Sequence, residues 1–127
     1  MAIASAPALP SGEVSKFTPG PESGTYDSFV ELVLTDIAEE RGQEPQTRAD
    51  YSSQADDNAI IQGIEGADGS LGWVGFAFAE EAGDGVKELE VDGGDGCVAP
   101  SVENAQNGTY KPLSRPLFVY VKQESLQ

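Results

Sequence analysis

Histidine is absent from this 127-residue chain, and cysteine, methionine and tryptophan occur once each. Without histidine, the usual base for a serine or cysteine nucleophile is missing. A single thiol, Cys97, excludes an intrachain disulfide, so the fold must rest on packing. Positive charge is also scarce. Seven Lys and Arg stand against 22 Asp and Glu, a formal charge of −15, which argues against sequence-independent binding to nucleic acid or an anionic membrane. No run approaches the ~20 apolar residues that cross a bilayer. Met1–Pro7 has small residues but no charged leader, and does not read as a secretory signal. The adjacent acids Asp56-Asp57 and Glu80-Glu81 point different ways and mark solvated surface. Neither a metal nor an organic cofactor is expected.

What remains is enough for a folded domain. Hydrophobic residues make up 39% of the chain and 15 glycines supply turns. At this length one domain buries roughly two-thirds of its unfolded surface. Residues 1–11 read as an Ala/Pro/Ser-rich tail. Val14–Thr18 alternates as a strand and stops at Pro19-Gly20-Pro21. From Thr25, Phe29, Val30, Val33, Leu34, Ile37 and Ala38 fall at helical spacing, and Arg41-Gly42 closes the helix. A short strand is expected over Thr47–Tyr51, and a helix capped by Asp56-Asp57 with Ala59, Ile60, Ile61 and Ile64 on its apolar face. Leu71–Val74 reads as a strand in which small Gly72 allows close backbone approach. Phe76–Ala82 and Ser101–Gln106 read as helices, Val86–Val91 and Pro116–Val121 as strands, and Gly93–Gly96 as a loop. Alternating strands and helices imply an α/β layered domain.

The chemistry concentrates at Pro19–Phe29. There a Gly/Pro turn delivers Ser23-Gly24-Thr25 to a helix start, where free N–H groups, the positive end of the helix dipole and two hydroxyls converge. Such a turn can hold phosphate, sulfate or carboxylate without Lys or Arg. Ser23 acting only as an N-cap is the plainer alternative. Asp57 and Asn58 could touch a ligand or merely cap their helix, and Asp27 suits the first turn whatever the function. Tyr26 and Trp73 read as packing residues. Cys97 reads as a small, partly buried thiol. Asn107-Gly108-Thr109 matches a glycosylation sequon but reads better as a turn.

Ser-Gly-Thr-Tyr-Asp at 23–27, Arg48-Ala49-Asp50-Tyr51, Gly69–Phe78 and Tyr110-Lys111-Pro112-Leu113-Ser114-Arg115-Pro116-Leu117-Phe118 together resemble the phosphate-binding proteins of bacterial phosphate ABC transporters, from about Glu13 to Lys122. The resemblance implies one lobe of a type II periplasmic-binding-protein-like fold, a mixed sheet flanked by helices. Residues 12–113 would form the lobe, and 114–127 the return strand or hinge, with Arg115 at the hinge. It further implies that Ser23, Gly24 and Thr25 hold inorganic phosphate. Many family members place an Arg just before the Ser, where this chain has Thr18–Glu22. Arg48 is the candidate replacement, since a guanidinium fork suits an oxyanion; an ordinary pair with Asp50 or Glu44 is the alternative. The first lobe would be missing, Cys97 could pair with a cysteine there, and the implied partner is an ABC transporter permease. Full-length relatives would work outside the inner membrane, often lipid-anchored, so the chain reads as a fragment without that address. A non-enzymatic binding role follows. The alternatives are a hydrolase using Ser23 or Thr25, disfavoured without histidine, and an interaction module that keeps the fold without binding phosphate.

Overall fold

The computed structural model describes residues 11–126. The expected tail at residues 1–11 falls outside them except for Ser11. Two compact units divide the chain, Met1–Lys87 and Glu88–Gln127, whereas the lobe read from the sequence runs on to residue 113.

In the first unit a three-stranded parallel sheet has the order β2-β1-β3, with β1 at Ser15–Pro19, β2 at Ser52–Gln54 and β3 at Ser70–Gly72. Phe17 lies beside Ser52 on one side and Gly72 on the other. Parallel neighbours require crossovers, and helices supply them. The first crossover is a helical stretch from residue 24 to residue 40, made of α1 (Gly24–Phe29), a π turn (Val30–Leu34) and α2 (Thr35–Glu40). In the π turn Thr35 N–H donates to Val30 O, and the Thr35 hydroxyl donates there too at 3.2 Å. The second crossover carries α3 (Asp57–Glu65), capped by Asp56 Oδ1, which accepts from Asn58 N at 2.8 Å and Ala59 N at 3.3 Å. Helix α4 (Phe76–Ala82) follows β3 and ends at Gly83, whose φ of +54° suits glycine.

The centre of this unit is where α3 meets β1. Ile60 is fully buried, Ile61 and Ala38 nearly so, and Thr18 and Pro19 close the end of the central strand. Two glycines make the approach possible. A Cβ at Gly63 would stand 2.4 Å from the Phe17 ring, and one at Gly72 would stand 2.1 Å from the Phe17 carbonyl oxygen. The close approach expected at Gly72 is therefore present.

In the second unit, β4 (Val91–Asp92) and β5 (Cys97–Val98) form an antiparallel ribbon. Its turn is held by Asp92 Oδ1, which accepts from Gly94 N at 2.8 Å and Gly96 N at 3.0 Å. Helix α5 (Val102–Gln106) is capped by Ser101 Oγ, accepting from Asn104 N. Tyr110 donates its hydroxyl to Leu89 O at 3.1 Å, and burial with the nearby Glu88 charge raises its pKa. Asn107–Thr109 forms the expected turn, with Asn107 Oδ1 accepting from Thr109 N and hydroxyl.

Several expectations are corrected. The strand expected at Thr47–Tyr51 forms later, at Ser52–Gln54, because only there does the chain run alongside β1. Val86–Val91 shrinks to the two-residue β4, since its partner offers only Cys97 and Val98. Cys97 is exposed. Pro116–Val121 forms no strand: no described residue pairs with it, and its side chains face solvent.

Candidate functional site

Strand order fixes where a ligand could sit. In open α/β sheets the crevice lies beyond the carboxyl ends of the strands, where connections leave a strand in opposite directions. With the order β2-β1-β3, that place is the loops after β1 and β3. The loop after β1 is Gly20–Ser23, and that after β3 begins at Trp73. The two are joined through α1, because Phe29 stacks on Trp73 with ring centroids 4.1 Å apart and planes 15° from parallel. Trp73 Nε1 is buried there without a hydrogen-bond partner among the described residues.

Ser23 is extended and opens α1. Its N–H donates to Gly20 O at 3.0 Å, and its Oγ accepts from Thr25 N at 3.2 Å. Asp27 N is the first to reach back to a helical carbonyl, that of Ser23. The N–H groups of Gly24 and Tyr26 are thus left over by helix geometry. Among the described residues the Thr25 hydroxyl makes no protein hydrogen bond, whereas Ser28 donates its own to Gly24 O at 2.7 Å. Ser23 thus caps its own helix, and the Gly24 and Tyr26 N–H groups have no helical acceptor.

Gly20 makes room beside this turn. A Cβ there would lie 2.4 Å from both a Glu22 carboxylate oxygen and Ser53 Oγ. The Glu22 side chain therefore folds back over the end of β1 towards β2. An acceptor-only carboxylate so near opposes a bare anion at short range.

Arg48 stands elsewhere. It makes a bidentate pair with Asp50, Nε to Oδ1 at 2.7 Å and Nη2 to Oδ2 at 2.6 Å, and Lys16 Nζ reaches the same Oδ2 at 3.3 Å. The Arg48 hydrogen bond is the main reason that the Asp50 carboxyl sits well below the usual carboxylate range. Arg48 also lines an open cleft of about 550 Å³ with Leu34, Ile37 and Arg41, the half of the helical stretch remote from Ser23. The structure thus brings Ser23, Gly24 and Thr25 together and engages Arg48 with Asp50. One link ties its segment to α1: Thr47 Oγ1 lies 3.4 Å from Tyr26 Oη. Asp56, rather than Asp57 or Asn58, provides the helix cap. Sequence reasoning missed the Phe29–Trp73 stack, for which only the two aromatic residues were a signal. Among the described residues no cluster of three metal-ligating side chains is found, and no helix is long and apolar enough to cross a membrane.

Comparison with known proteins gives a consistent direction. No protein-family profile matches the chain. It is 41% identical over 110 residues to Protein SphX of Synechococcus elongatus, covering 86% of this chain and 30% of that protein. Against the phosphate-binding protein PstS of Staphylococcus saprophyticus the identity is 32% over 124 residues, 95% of this chain and 35% of that one. The crystal structure of a possible phosphate binding protein from Planctomyces limnophilus superposes with a TM-score of 0.70 at 30% identity, over 84% of this chain and 36% of that one. The chain spans about a third of the length of the relatives it matches.

Proposed function

From a chain homologous over most of its length to about a third of the SphX and PstS proteins, we propose a non-catalytic phosphate-binding lobe that belongs to a phosphate ABC transporter system. The observation that carries this reading is the Ser23-Gly24-Thr25 helix start at the carboxyl end of the central strand, in a chain whose relatives bear the name phosphate-binding protein. The leftover N–H groups of Gly24 and Tyr26 and the Thr25 hydroxyl would hold phosphate oxygens, while Ser23 fixes the turn. Arg48 would join them only by leaving Asp50.

The role is capture and release: phosphate sits between this lobe and a first lobe outside residues 1–127, closure excludes water, and a permease takes the ion. Residues 114–127 would be the passage towards that first lobe, and the assembly would work outside the cytoplasmic membrane. In one lobe alone the anion stays partly in water, where each hydrogen bond is worth about 1 kcal/mol net, so affinity should be millimolar at best.

Isothermal titration with phosphate, and separately with sulfate, tests the reading. Saturable heat with phosphate in the millimolar range is expected, and Thr25→Val should weaken it about fivefold or more, the loss of one such hydrogen bond. Absence of heat at high phosphate, with an intact circular dichroism spectrum, would instead favour an interaction module that retains the fold.

A further inference from the structure

Of the asparagines in the chain, Asn58 and Asn104 precede alanine and only Asn107 precedes glycine. Asn107 closes α5 and is exposed. Two donors of Thr109 converge on its amide oxygen, the N–H at 3.1 Å and the hydroxyl at 2.7 Å. The next peptide nitrogen is that of Gly108, which has no β-carbon to hinder its approach to a neighbouring carbonyl. In the folded turn that nitrogen is held off. Asn107 has a ψ of −1°, so Gly108 N eclipses the Asn107 nitrogen instead of Cβ. Its N–H is given to Ala105 O at 3.3 Å, while Thr109 N and Tyr110 N close the turn on Asn104 O at 3.0 and 3.2 Å. Gly108 supports this closure with a left-handed φ of +72°. A helix of five residues such as α5 holds by these end contacts rather than by its own propagation.

We propose that Asn107–Gly108 is a latent self-modification site, in which the turn anchored by Thr109 holds back the conversion of Asn107 to aspartate and isoaspartate. When α5 frays, rotation about the Asn107 Cα–C bond brings Gly108 N against Asn107 Cγ. A new N–Cγ bond closes a five-membered imide, the Gly108 N–H proton passes through water to the departing amide nitrogen, and ammonia leaves. Water then adds to one imide carbonyl and opens the ring. Cleavage at Cγ gives aspartate, and cleavage at the main-chain carbonyl gives isoaspartate, whose backbone runs through the former side chain. The sum is amide plus water to carboxylate plus ammonium, without oxidation or reduction. Thr109 is the guard because its N–H and hydroxyl fix Oδ1, so that Cγ reaches Gly108 N only after both let go. The same donors would assist addition if the nucleophile stood in place, but at a ψ of −1° it does not. The product carboxylate is the first acid within residues 104–123, the longest acid-free stretch of the chain, which holds Lys111, Arg115 and Lys122. The reaction needs only this turn and water, and does not rest on phosphate binding.

The test is incubation of the 127-residue chain at mildly alkaline pH, folded and in guanidinium chloride. Peptide mass spectrometry follows Asn107, and chromatography resolves isoaspartate. Conversion should be at least about tenfold slower in the folded chain, where it waits on local opening. Thr109→Val, with an unchanged circular dichroism spectrum, should speed the folded reaction about threefold or more, the loss of roughly one hydrogen bond, and leave the unfolded rate unchanged. Thr109→Ser keeps the hydroxyl and should stay near the original rate, and Asn58 and Asn104 should remain intact over the same period. Equal rates in folded and unfolded chains overturn the proposal. A Thr109→Val reaction that is unchanged or slower overturns it too, the slower case making the hydroxyl an oxyanion donor and not a guard.

Discussion

Asp50 shows how a single residue can be understood from its neighbours. Its carboxylate takes both prongs of Arg48 and the Lys16 ammonium, so the charged form is favoured and its pKa falls well below the ordinary 3.8. A depressed carboxyl pKa contributes stability that is present above the unfolded value and is lost as pH falls through the folded one. Exposure of both partners to water keeps that contribution small. The expected result in an NMR carboxyl titration is that Asp50 remains ionised below pH ~3, and that Arg48→Ala returns it towards 3.8. An Asp50 midpoint unaltered by Arg48→Ala would show that the pair does not persist in solution. The sequence offered both fates for Arg48, anion ligand or ion-pair partner, because a spacing of two residues to Asp50 is compatible with either. Only side-chain placement distinguishes them.

Among the elements, α3 and the central strand set the packing. Its start was legible from Asp56 and its apolar face from Ile60, Ile61 and Ile64, since capping and periodicity are local signals. The contact of Gly63 with Phe17 was not, because it joins residues 46 positions apart. Gly63→Ala tests which effect dominates. Helix propensity alone would favour alanine by about 1 kcal/mol, but the added methyl would stand 2.4 Å from the Phe17 ring, and overpacking of this kind costs about 1–3 kcal/mol. Chemical denaturation should therefore show a net loss of stability, whereas Gln62→Ala on the exposed side of the same helix should change it by less than about 0.5 kcal/mol. A stabilised Gly63→Ala would mean that α3 sits farther from β1. The long crossover helix was anticipated from Thr25 to Arg41, and its π turn was not. An extra residue within a helix leaves the apolar spacing of Phe29, Val33 and Leu34 nearly unchanged, so periodicity does not reveal it.

At the scale of the whole molecule, charge dominates. A net −15 on 127 residues repels itself in the compact state, and the described ion pairs all converge on Asp50. Salt screens that repulsion, the Debye length shrinking from roughly 30 Å at 0.01 M to about 3 Å at 1 M. The melting temperature at neutral pH should rise over that range by several degrees, since each 1 kcal/mol is worth about 4 °C or more in a chain of this size. Thermal melts in sodium chloride measure it, and a flat or falling trend would locate stability in the ion pairs instead.

The sequence by itself determined what depends on neighbours along the chain: an α/β layout, the capped starts of α1 and α3, the Ser23-Gly24-Thr25 turn, and the similarity to phosphate-binding proteins. Tertiary structure decided what depends on residues distant in sequence. It placed β1 between β2 and β3, so that the turn follows the carboxyl end of the central strand, and it stacked Trp73 on Phe29. It bound Arg48 to Asp50 and, among the described residues, left Pro116–Val121 without a strand partner. A strand's hydrophobic pattern states that cover is needed, but hydrogen-bonding partners exist only where another segment runs alongside, and that is a property of the assembled fold.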